Sequence, residues 1–75
     1  MVHNKINSNI LNCLEMLDVY RLNLLHNKKL LTYLYGPDWE SDPMYLSSNY
    51  RYTIEMYREE ISHYTQEIKD LTNTN

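Results

Sequence analysis

Seven residues in the last third of the chain, Tyr50, Ile54, Tyr57, Ile61, Tyr64, Ile68 and Leu71, fall alternately four and three positions apart. An α-helix turns about 100° per residue, so this spacing lays all seven side chains along one narrow stripe. Only another helix covers a stripe of that shape. The first half supplies a matching one, with Ile10, Leu17, Leu24 and Leu31 at every seventh place and Ile6, Cys13, Tyr20, Asn27 and Leu34 between them. The two repeats predict an all-α chain whose helices pack along heptad seams, as in a coiled coil.

Where those helices start and stop is read from the few residues that interrupt the pattern. The chain holds one glycine and two prolines, too few to punctuate a set of short strands. Gly36-Pro37 follows the last apolar residue of the first repeat, the usual signature of a helix C-terminus. Asp42-Pro43 offers an N-cap carboxylate and a proline in the first turn, where its missing N–H costs nothing. The expectation is a single domain over residues 1–75, an antiparallel two-helix hairpin with a first helix at about 5–35, a loop at 36–42 and a second helix at about 43–72. Residues 1 to about 4 and 73 to 75 are expected to fray. Folding at the loop brings Leu24 near Tyr50 to Tyr57 and Cys13 near Tyr64 to Ile68, with Ile61 at a central contact.

The first helix carries more apolar residues than one seam needs: Leu11, Leu14, Met16, Val19, Leu22, Leu25 and Leu30 lie outside it. A helix apolar on nearly every side is one buried in more than one interface. This predicts a homodimeric four-helix bundle with the first helices at its centre and Leu11, Leu14, Leu22 and Leu25 in the dimer interface. A groove for a partner protein's helix would use the same leucines.

Charge singles out two further surfaces. Arg21 and Lys28 of the first helix and Arg51 and Arg58 of the second are expected on one flank of the seam, four cations without an interleaved carboxylate. Such a flank suits an acidic partner or a phosphate. The aromatic end of the hairpin, with Tyr33, Tyr35, Trp39 and Tyr45, either closes the bundle or serves as a recognition patch. The acids Asp38, Glu40 and Asp42 lie where the second helix's N-terminal dipole favours them. Glu60 and His63 form one Glu-x-x-His, with Glu15 nearby across the hairpin, but Glu15 falls on the face farthest from its own seam, so no metal site is expected. Asn27, the one amide in the first seam, reads as a register-setting or locally satisfied residue.

Several function classes find no support. No glycine-rich phosphate loop and no nucleophile with a neighbouring base is present, so neither an enzyme nor a cofactor is expected. The net charge of −3 argues against coating nucleic acid by bulk charge. A lone Cys13 points to a reducing compartment, and no segment has the roughly 18 uncharged apolar residues that span a bilayer, so a cytoplasmic chain without membrane contact is expected. Abundant Asn, Ile, Lys and Tyr with no Ala or Phe fits an AT-rich genome such as that of a Gram-positive bacterium or its phage. The segment Leu46-Ser47-Ser48-Asn49-Tyr50-Arg51 is similar, at its start alone, to the opening of the second helix in short hairpins that dephosphorylate response regulators in spore-forming bacteria. It places Arg51 where that family has an aspartate, and the family's activity is not carried over. Trp39-Glu40-Ser41 likewise lacks the glycine of secreted hairpins with a Trp-x-Gly turn. The function expected is that of a small non-enzymatic regulator or inhibitor binding an unidentified protein, the alternative being a nucleic-acid or phosphate binder that uses the basic flank.

Overall fold

The computed structural model describes residues 2–73, with side chains from Ser8 onward. The frayed ends expected at Met1, Thr74 and Asn75, and the seam contact of Ile6, lie outside what it describes. Helix α1 runs over Val2–Tyr35, a 3-10 turn over Trp39–Ser41, helix α2 over Pro43–Leu46 and helix α3 over Asn49–Thr72. No strand occurs among the described residues. α1 packs antiparallel on α3 in a rod of 52 × 17 × 16 Å. The all-α hairpin follows from the two heptads.

The turn forms as its sequence dictates. Gly36 ends α1 with a φ of +92°, a left-handed conformation that disfavours any residue with a Cβ, and its N–H donates to the Thr32 carbonyl at 2.9 Å. Asp42 caps α2: its Oδ1 accepts from the Met44 N–H at 2.8 Å, and Pro43 follows at the first helical position.

The second helix is not continuous, contrary to the expected 43–72 span. Ser47 ends α2, and Ser48 is extended at φ −92° and ψ 164° before α3 begins. Both serines bond back onto α2: Ser47 donates to the Pro43 carbonyl from its N–H at 3.1 Å and its Oγ at 3.0 Å, and Ser48 to that of Tyr45 from its N–H at 2.9 Å and its Oγ at 2.7 Å, a local satisfaction of the last carbonyls that serine offers readily. α1 also begins earlier than the expected residue 5.

The core is concentrated at the loop end. Leu31 and Ile54, both at 0 % exposure, pack with Trp39 and Tyr45, and Leu24, Tyr35 and Tyr50 close around them. Trp39 and Tyr45 meet edge to face, ring centres 4.9 Å apart. Further along, Cys13 and Leu17 are buried, and Tyr20 lies against both Tyr57 (6.1 Å) and Tyr64 (6.0 Å, stacked). One seam assignment needs correction: Leu34 is exposed, because α1 ends one residue later and the chain turns toward α2, whereas Ile61 is half-buried like its seam neighbours Tyr57, Tyr64, Ile68 and Leu71.

Candidate interaction surfaces

Four leucines of α1, Leu11, Leu14, Leu22 and Leu25, retain 56, 45, 53 and 48 % of their accessible surface. At about 100° per residue they share one face, centred about 125° around the helix from the seam of Cys13, Leu17, Leu24 and Leu31. Placing them on that face is a consequence of sequence spacing alone; the structure adds that no element of the hairpin covers it. Val19 and Leu30 are also exposed, on a third side of the helix about 110° from the centre of that face and away from α3.

The basic flank is not the uninterrupted patch expected. Arg51 Nε donates to Glu55 Oε1 at 3.1 Å, one helical turn along, and its Nη1 lies 3.4 Å from the Leu46 carbonyl. Arg58 Nη2 stands 3.6 Å from Glu40 Oε1, brought there by the 3-10 turn. Two of the four cations thus have carboxylate partners, and among the described residues Arg21 and Lys28 have none. Sequence reasoning missed Glu55 although its i+4 spacing from Arg51 was legible; nothing in the sequence aims Glu40 at Arg58.

At the aromatic end, Trp39 and Tyr45 are core residues. They close the hairpin. Tyr35 is half-buried beside them, and Tyr33 and Met44 are left on the surface. Burial raises the Tyr45 hydroxyl above its usual range, with Arg58 and Arg51 opposing and Glu55 and Glu40 adding to the shift.

At the opposite end, a cleft of about 460 Å³ opens between Asn9, Asn12, Cys13 and Met16 of α1 and Tyr64 and Glu67 of α3. Burial, and after it the charge of Glu67, push the Cys13 thiol up. Tyr64 is raised too, first by burial and then by Tyr20, Glu60, Glu67 and Cys13. His63 Nε2 faces Glu67 Oε2 at 3.4 Å, not Glu60 or Glu15, and no metal-holding group of His, Cys, Asp or Glu occurs among the described residues. Asn27 Nδ2 donates to the Asn23 carbonyl at 2.8 Å, so its amide is satisfied within its own helix.

No described helix is long and apolar enough to cross a membrane. Compared with protein families, curated proteins and solved structures, the chain finds no match.

Proposed function

We propose that this chain is a small non-enzymatic regulator or inhibitor that acts by binding another protein, and that it does so as a homodimer whose first helices lie inside a four-helix assembly. One observation carries the reading: the four half-exposed leucines on the α1 face that α3 leaves uncovered. Exposed leucines gathered on one helix face, here in two pairs on either side of Asp18, mark an interaction site. Arg21 and Lys28, which have no carboxylate partner among the described residues, lie between that face and α3, and Lys28 is the one offered to an acidic protein surface. Nucleic-acid or phosphate binding is the second reading, because Glu55 and Glu40 interrupt the cationic flank at Arg51 and Arg58.

Sedimentation of the wild type and of the Leu22→Glu, Leu25→Glu double variant tests the reading. The wild type should be a dimer at micromolar concentration, and the variant a monomer of unchanged helicity. A fully helical wild-type monomer would sink the dimer. Recovery of a bound protein from the native host, lost with Lys28→Glu while the dimer persists, would identify the target; retention of that protein by Lys28→Glu would remove this cation from the working surface.

A further inference from the structure

The leucine face of α1 has a symmetry of its own. Leu14 and Leu22 stand four residues on either side of Asp18, and Leu11 and Leu25 stand seven on either side. Spacings of four and seven are those at which helical residues return to one face, so the pattern reads the same in both directions along the helix. Turned end for end about Asp18, a second α1 presents Leu25 to Leu11 and Leu22 to Leu14 over about 21 Å of helix at 1.5 Å per residue. Apolar residues meet apolar residues at every layer but the middle one.

The middle layer decides whether that pairing is tolerable. It sets Asp18 against its own copy, and two facing carboxylates inside an apolar contact are costly unless cations neutralise them. Arg21 supplies the cation. It lies one turn from Asp18 on the same helix, at the edge of the leucine face, and both side chains are exposed. Neither has an ion-pair or hydrogen-bond partner among the described residues. In the antiparallel pairing the Arg21 of each copy falls within a turn of both aspartates on one edge of the face, while the Glu15 of each copy, also exposed, stands on the other edge level with the other copy's Arg21, so the middle layer holds four carboxylates and two guanidiniums and Arg21 is its cation. Arg51 and Arg58, tied to Glu55 and Glu40, do not compete for Asp18.

We infer that the occupant of this face is a second copy of the chain, docked α1 on α1 in antiparallel register about Asp18 and locked by an Asp18–Arg21 charge cluster on the two-fold axis. This rests on the self-association proposed above and adds its direction, register and electrostatic lock. Because the leucine face lies about 125° from the α3 seam, the four helices form a shallow layer with both first helices inside.

Cysteine pairing under mild oxidation, in a Cys13→Ser background, reads the register. A mixture of Leu11→Cys and Leu25→Cys chains should give a covalent dimer, and Leu11→Cys alone should not. If Leu11→Cys links to itself as readily as to Leu25→Cys, the helices are parallel and the register is overturned while the dimer stands. A sedimenting dimer that forms no link in any mixture places the contact on another face. A wild-type monomer overturns both proposals and leaves the face to a different protein. Charge reversal gives an independent reading that needs no cysteine: Arg21→Glu should weaken self-association about tenfold or more, and Asp18→Arg combined with Arg21→Asp should restore it to within about threefold. Unchanged association in Arg21→Glu overturns the lock.

Discussion

Cys13, Tyr45 and Tyr64 are three weak acids whose protons the fold holds more tightly than the unfolded chain does, chiefly because burial penalises the charged forms. The sign of the consequence is fixed. A raised folded-state value means the native chain binds more protons, so stability is complete below the unfolded-state values and falls as pH rises past them. Those values lie at about 8.5 for a thiol and about 10 for a phenol. The melting temperature should therefore hold through neutral pH and fall in the alkaline range, and Tyr64→Phe should fall less steeply. A melting temperature flat to about pH 10.5 would contradict the burial of these groups. Asn27 illustrates a different compromise at the same scale: a seam amide that bonds within its own helix keeps itself satisfied without binding α3.

Among the elements, α3 carries its heptad from end to end, yet its burial is uneven. Ile54 is sealed by Leu31, Trp39 and Tyr45, whereas Ile61 lies where only two helices meet and water reaches the seam. Ile54→Ala should cost about 3–5 kcal/mol, a large share of the stability of a domain this small, and Ile61→Ala about 1–2 kcal/mol. Denaturant midpoints would rank them, and the opposite order would refute a core centred on the loop. The α2–α3 break belongs to the same account. By ending α2 at Ser47 the chain lets a short helix close the bundle with Tyr45, edge to face with Trp39. The Ser-Ser pair was visible in the sequence, but it lies between the Asp42-Pro43 start signal and the heptad that begins at Tyr50, and neither a cap nor a heptad records whether the backbone between them stays helical.

For the whole molecule, the ion pairs matter less than the apolar surfaces. Arg51–Glu55 and Arg58–Glu40 are both well exposed, and pairs of that kind contribute about 0–1 kcal/mol. Arg58→Glu should lower stability by no more than about 1 kcal/mol, with the loss shrinking in 1 M salt as the charges are screened. A larger, salt-independent loss would show that the Arg58 stem, and not its charge, secures the 3-10 turn. The exposed leucines of α1 set the larger balance. A two-helix rod buries few side chains completely, and among the described residues only Leu31 and Ile54 reach 0 % exposure, so a second contact surface has much to add.

Helical class, the turn at Gly36, the Asp42 cap and the heptad seams were all written in the sequence, since each depends on residues a few places apart whose spacing maps directly onto helix geometry. The pairing of Cys13 with the Tyr64 end of α3 followed from the same arithmetic once the loop was placed. What only tertiary structure decided were the contacts between residues distant along the chain and governed by no repeat: Glu40 reaching Arg58, Tyr20 lodging between Tyr57 and Tyr64, and Trp39 and Tyr45 turning inward instead of outward. Periodicity specifies the face of a helix; where a loop's side chains go is set by the space that two helices happen to leave at their end.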